Sequence, residues 1–136
     1  MLDTDAMDRA PLPGLDQLDR LADQVGRAGL QVRLVRDIDG HVSAAQGATI
    51  YRIVQEALTN TLRHAEAAHA SVTVRRSDGE LVVVVVDDGR GSDAPAGRGL
   101  RGMAERVAVH GGSLAYGTRD GGGYQVTASI PVETVT

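Results

Sequence analysis

The sequence contains no cysteine, phenylalanine or tryptophan, and it has only three tyrosines. Without cysteine the chain has no disulfide framework, no thiolate nucleophile and no thiolate metal site. Its core must therefore be built from Val, Leu, Ile and Ala. The length of 136 residues is that of one ordinary domain, so we expect one fold and one site.

An excess of basic residues and long apolar runs are also lacking. Fourteen Lys and Arg against eighteen Asp and Glu give a net charge of −4, which argues against a surface that binds nucleic acid by neutralising phosphates. No apolar stretch approaches the roughly 20 residues needed to span a bilayer, and the start lacks the regions of a signal peptide. We therefore expect a cytoplasmic domain without a nucleic-acid partner and without direct membrane contact.

The periodicity of apolar residues predicts one domain over residues 12–132, after a flexible, acidic leader at 1–11 and before a short tail at 133–136. The predicted element order is αβαββαββ. The predicted elements are a helix from Leu15 that stops at Gly29, a strand over 30–36, a helix from a Ser43–Gln46 capping box to about Ala65, hairpin strands over 70–76 and 80–86, a helix opening at 97–100, and strands over 113–118 and 123–131.

The second predicted helix carries a polar face. Glu56, Asn60 and His64 recur at i, i+4 and i+8, with Arg63 nearby. We predict that this face lies opposite the helix's apolar stripe, which comprises Ile50, Ile53, Val54, Ala57, Leu58, Thr61 and Leu62. Taken alone, the same pattern is typical of a solvated helix face.

The next feature is an acidic, glycine-containing turn after a continuous apolar run. Residues 81–86 read LVVVVV, which predicts a central strand covered on both faces or nearly so. Asp87 and Asp88 follow at once, with Gly89 and Gly91 beyond them. A carboxylate at the end of a buried strand can hold the exocyclic amine of a purine, while glycines let the backbone approach the ring. Taken alone, the pattern equally describes a turn that closes a strand.

A second glycine-rich segment opens the third predicted helix. Residues 97–100 read Gly-Arg-Gly-Leu. Free N–H groups at a helix start, with no side chains in the way, form an anion site suited to a triphosphate. The three features, in this order, therefore predict a nucleotide site.

The segments QEALTNTLRHA, VDDGRG, GRGLRGMAERV and GGSL together resemble the ATP-binding catalytic domain of bacterial sensor histidine kinases, in the nitrate-sensor and degradative-sensor branch. The resemblance covers roughly residues 12–132. It implies an α+β fold, the two-layer α/β sandwich (Bergerat fold) shared with gyrase and Hsp90. In that fold a mixed, mostly antiparallel sheet is covered on one face by about three helices.

The resemblance also implies the ligands ATP and Mg²⁺ and a role for each candidate residue. Asn60 would ligate Mg²⁺, and Glu56 would sit beside the reacting phosphate. Asp87 would bind the adenine amine. The other assignments are Gly89 and Gly91 to the base pocket, Gly97, Gly99, Leu100 and Arg63 to the phosphates, residues 92–98 to the ATP lid, and His64 to local hydrogen bonding.

Two departures from the family pattern stand out. Tyr124 occupies a place where many relatives carry Thr, and Thr127 is the candidate to supply the hydroxyl instead. In addition, no histidine is followed by an acidic residue, as the phospho-accepting histidine of this branch is. The resemblance therefore implies that the acceptor lies on a separate dimerisation domain, which passes the phosphoryl group to a response regulator.

Two other functions fit the same site. One is a serine kinase of the anti-sigma-factor type, and the other is a binding module switched by nucleotide. The segment LPGLDQLDRLADQVGRAGL, followed by VRL, is similar to the link between the dimerisation helices and the catalytic domain of sensor kinases, which favours the histidine kinase. The presence of both Glu56 and Asn60 favours chemistry over binding alone.

Overall fold

The computed structural model describes residues 14–38, 42–64, 67–89 and 98–132. In these ranges the predicted order αβαββαββ is confirmed. The helices are Leu18–Arg27 (α1, after a 3-10 turn over Leu15–Gln17), Ala44–His64 (α2) and Arg98–Val109 (α3), and the strands are Gln31–Asp37 (β1), His69–Ser77 (β2), Glu80–Asp87 (β3), Ser113–Thr118 (β4) and Tyr124–Pro131 (β5). The predicted leader at 1–11 and tail at 133–136 lie outside the described residues.

The five strands form one mixed sheet in the order β1-β2-β3-β5-β4. β1 pairs with β2 in parallel, and the other three pairings are antiparallel. The hairpin between β2 and β3 turns through Asp78 and Gly79, both with positive φ (52° and 79°), as a two-residue type I′ turn requires. β3 is thus central, and its carboxyl end lies between neighbours on both sides.

All three helices pack on one face of this sheet. Along β3, Leu81, Val83 and Val85 are buried against them. Val82, Val84 and Val86 point to the other face and are only half-buried, so the prediction that this run is covered on both faces is wrong. The valines suit an extended backbone, and that preference does not require burial on both sides.

One of the two bonds of the capping box predicted at the start of α2 is observed. The N–H of Gln46 donates to Oγ of Ser43 at 3.1 Å, and the Gln46 side-chain amide donates to the carbonyl of Pro131 at the end of β5. The predicted stripe of α2 is buried except for Leu62, which is 39% exposed. Leu62 lies about 100° around the helix from Thr61 and so leaves the buried side. No helix among those described is long and apolar enough to cross a membrane.

Candidate nucleotide site

The site is built around a buried carboxylate at the end of β3. Because side chains alternate along the strand, Asp87 points to the helix side, and it is 4% exposed. Its Oδ1 accepts the N–H of Gly89 at 2.9 Å, and its Oδ2 accepts the Thr61 hydroxyl at 2.9 Å. A buried carboxylate needs such donors to offset its lost hydration. Each oxygen still has a lone pair for a further donor, so Asp87 presents a fixed acceptor.

The adjacent Asp88 serves a different purpose. Its Oδ1 accepts the N–H groups of Ala68 (3.0 Å) and His69 (2.9 Å), and its Oδ2 lies 3.1 Å from Nδ1 of His69. These bonds, above all the one from the His69 N–H, lower the pKa of the Asp88 carboxyl below its ordinary 3.8. Asp88 therefore ties the end of β3 to the start of β2 and leaves Asp87 as the acceptor available to a ligand.

Glu56 and Asn60 lie one turn apart on α2, and both are half-buried. The predicted position opposite the apolar stripe is therefore wrong, because the two residues flank the stripe. Glu56 reaches the first turn of α3, where a Cβ on Gly99 would collide with its carboxylate. The missing side chain at Gly99 thus lets a carboxylate of α2 approach the positive end of α3.

The other predicted site residues are placed unevenly. Gly89 is buried beside Asp87, Leu100 is in the core at 1% exposed, and Arg63 is exposed on α2. Thr127 is not brought to the site. It pairs with Val84 on the sheet face away from the helices, where its hydroxyl accepts from Nε2 of Gln125 at 2.9 Å. The remaining predictions, for Gly91, Gly97, the lid up to residue 97 and the side chains of His64 and Arg98, fall outside the described part.

Asp87 has two further neighbours to which the sequence analysis assigned no role in the site. Thr61 was assigned to the apolar stripe of α2, although a hydroxyl in such a stripe is itself a sign of a buried polar partner. Tyr124 is the cross-strand partner of Asp87, and burial, then Tyr116 and Asp87, raise the pKa of its phenol above 10.0. Gly123 precedes it with φ of 94°, and a Cβ there would collide with the carbonyl oxygen of Asp87.

A cavity of about 650 Å³ borders the same strand end. Its lining combines Asp87–Gly89 with residues of β1, β2 and the β4–β5 turn, and it includes none from α2 or α3. It is therefore distinct from the space beside Glu56, Asn60 and Gly99. The polar groups suited to a nucleotide and its metal are the buried carboxylate of Asp87 and the side chains of Glu56 and Asn60 on α2.

Magnesium fits this donor set. Across the described ranges there is no group of three or more His, Asp or Glu side chains that could hold a metal ion by itself. Mg²⁺ commonly takes one or two protein ligands and completes its shell with phosphate oxygens and water. The amide oxygen of Asn60, beside Glu56, is a hard ligand of this kind.

Comparisons with known proteins agree with this geometry. The family model described as "Histidine kinase-, DNA gyrase B-, and HSP90-like ATPase" matches residues 45–134. Sensor histidine kinase YxjM of Bacillus subtilis (strain 168) is 42% identical over 87 residues, which cover 63% of this chain and 21% of that protein. The signal transduction histidine-protein kinase/phosphatase DegS of Brevibacillus brevis is 38% identical over 89 residues, or 62% of this chain and 23% of that protein. The chain thus spans less than a quarter of the length of these relatives.

Solved structures show the same fold. The histidine kinase domain of the blue-light activated histidine kinase from Erythrobacter litoralis EL346 superposes with a TM-score of 0.65 at 31% identity, covering 84% of this chain and 57% of that one. The mycobacterial sensor histidine kinase MprB gives a TM-score of 0.64 at 18% identity, covering 88% and 95%. The α+β sandwich with a mixed sheet covered on one face is confirmed.

Proposed function

Because this chain belongs to the family of histidine kinase-, DNA gyrase B- and HSP90-like ATPases, we propose that it binds Mg-ATP as the catalytic domain of a sensor histidine kinase. The observation that carries the proposal is the buried carboxylate of Asp87, held by Thr61 and Gly89 at the end of the central strand. An ionised carboxylate only accepts hydrogen bonds. It therefore suits the amine of adenine and disfavours guanine, whose six-position also presents an acceptor.

The phosphate end of the proposed site lies where α2 meets α3. Asn60 would hold Mg²⁺, which neutralises charge on the phosphates when bound. The N–H groups in the first turn of α3, around Gly99, would donate hydrogen bonds to phosphate oxygens, with exposed Arg63 as a further cation. Glu56, half-buried between the helices, would orient the incoming imidazole and accept its proton.

The nucleophile comes from elsewhere in this proposal. A histidine on a dimerisation domain, in the same or the partner subunit, would receive the phosphoryl group and pass it to a response regulator. The proposal concerns residues 12–132 as the catalytic unit and places it in the cytoplasm, where ATP is available. The relatives that support it carry the names of sensor histidine kinases, so a serine kinase of the anti-sigma-factor type is not favoured. A nucleotide-switched module would bind ATP without turnover.

Two substitutions on α2 test the proposal, because they should fail in different ways. Asn60→Ala should lose Mg²⁺-dependent ATP affinity by about tenfold or more, since a metal ligand acts in the bound ground state. Glu56→Gln should bind Mg-ATP almost normally but transfer phosphate about 10²- to 10⁴-fold more slowly to a rejoined acceptor helix, since proton handling acts in the transition state.

The measurement is calorimetric Mg-ATP affinity and phosphotransfer rate, side by side for the two variants. Leu62→Ala, at an exposed position of the same helix, is the matched control and should behave as wild type. Wild-type affinity and wild-type transfer in both site variants would remove Glu56 and Asn60 from the active site. If the wild-type protein bound ATP but transferred no phosphate to the acceptor helix, the result would favour the nucleotide-switched binding module.

A further inference from the structure

We propose that Thr61 is a positioning residue for base recognition, because its hydroxyl fixes the orientation of the Asp87 carboxylate. This inference rests on the proposed ATP site. Thr61 is 5% exposed on α2, and its Oγ1 lies 2.9 Å from Oδ2 of Asp87, which is 26 residues further along the chain. It thereby joins the helix that carries Glu56 and Asn60 to the strand that carries the carboxylate.

The hydroxyl of Thr61 has one proton and two acceptors within reach. The second acceptor is the carbonyl of Ala57 at 3.0 Å, which also accepts the N–H of Thr61 within the helix. The carbonyl of Ala57 therefore keeps a donor when the hydroxyl turns away from it. An ionised carboxylate is the stronger acceptor, so the proton goes to Asp87.

The two donors on Asp87 hold the carboxylate from opposite sides. The N–H of Gly89 donates to Oδ1, and the Thr61 hydroxyl donates to Oδ2. Rotation of the carboxylate would break both bonds, so the lone pairs left for a ligand keep one direction. A carboxylate oxygen held in that direction accepts from the amine of adenine and repels the six-position oxygen of guanine. The hydroxyl thus contributes to selectivity for adenine as well as to affinity.

The rest of α2 provides a comparison for this role. Thr49 makes the same local bond, from its Oγ1 to the carbonyl of Ala45 at 3.0 Å, with no carboxylate involved. If Thr61 served only the helix, the two threonines would respond alike to loss of the hydroxyl. If Thr61 positions Asp87, only its own substitution will change nucleotide binding.

The test uses the whole chain with Thr61→Val, Thr61→Ser and the matched control Thr49→Val. Valine removes the hydroxyl at nearly constant volume, and serine retains it. Thr61→Val should lower the affinities for ATP and for ADP by the same factor, about tenfold, since the lost bond concerns the base and not the phosphates. Its preference for ATP over GTP should shrink, whereas Thr61→Ser and Thr49→Val should stay within about twofold of wild type. Thermal unfolding of each variant checks that the fold is intact.

Several results would overturn the role of Thr61. One is an ATP affinity in Thr61→Val equal to that of wild type. Another is a loss of ATP affinity in Thr61→Val that appears only when Mg²⁺ is present. The third is an ATP affinity in Thr61→Ser as low as in Thr61→Val. Asp87→Asn in the same assay separates this inference from the proposed function. If Asp87→Asn loses ATP and Thr61→Val does not, only the role of Thr61 is wrong. If the wild-type protein binds no ATP, both are wrong.

Discussion

The carboxylate of Glu56 occupies the space in which a side chain on Gly99 would have to begin. Glu56 lies on α2 and Gly99 in the first turn of α3, so this contact joins the two helices. The glycine at 99 is thus a steric requirement of a close approach between a carboxylate and a helix start. It is also the point at which the proposed phosphate subsite meets the proposed proton acceptor.

Gly99→Ala should therefore impair phosphotransfer by displacing Glu56 or the start of α3. Gly102→Ala is the matched control, because a Cβ at Gly102 meets nothing within 4 Å. In the same helix the control should gain about 0.5–1 kcal/mol of stability from better helix propensity and keep wild-type activity. Chemical denaturation and phosphotransfer assays of both variants check this. Equal activity in the two variants would mean that the contact has no functional role.

The alternation of burial along β3 predicts opposite outcomes at neighbouring valines. Val83→Thr places a hydroxyl in the core and should cost about 1–3 kcal/mol of unfolding free energy. Val84→Thr should change stability by no more than about 0.5 kcal/mol, because Val84 is half-exposed between Thr73 and Thr127 on the neighbouring strands. Urea denaturation of the pair measures the difference. Equal costs would indicate that the second sheet face is covered.

The bonds to Asp88 predict a loss of stability in acid. Because the pKa of Asp88 is lowered below 3.8, its carboxylate stabilises the fold above that pH, and this contribution disappears as pH falls through the folded-state pKa. Between about pH 5 and about pH 2, the urea concentration at the unfolding midpoint should therefore fall less for Asp88→Asn than for wild type. His69→Ala retains the backbone N–H that is the main cause, so it should keep most of the dependence. The same fall of the urea midpoint with pH in wild type and in Asp88→Asn would exclude a stabilising role of the Asp88 carboxylate.

Much of the fold could be predicted because its signals are local. The type I′ turn at Asp78–Gly79, the cap at Ser43 and the spacing of α2 each depend on a few adjacent residues. The register of the sheet and the partner of each buried polar group do not. Thr61 reads as one more small residue in an apolar stripe until the fold brings β3 against it.

Two errors concern which face of the sheet a residue occupies. An unbroken valine run such as residues 82–86 hides the period of two that normally distinguishes the covered face from the open one. Without that period, sequence alone does not tell which side of a strand a residue occupies. Thr127 was expected near Asp87, although β5 does alternate: Val126 and Ala128 are buried, and Thr127 between them lies on the opposite face, paired with Val84.

The most direct measurement is calorimetric titration of the wild-type chain and Asp87→Asn with Mg-ATP and with Mg-GTP. The variant keeps the size of the side chain, and its amide can be accommodated because the Thr61 hydroxyl can turn to the carbonyl of Ala57. Asp78→Asn removes the same charge at the exposed turn that opens β3 and serves as the control. The account predicts that wild type and Asp78→Asn bind ATP in preference to GTP, and that Asp87→Asn loses at least about tenfold in ATP affinity. Unchanged ATP affinity in Asp87→Asn would contradict it.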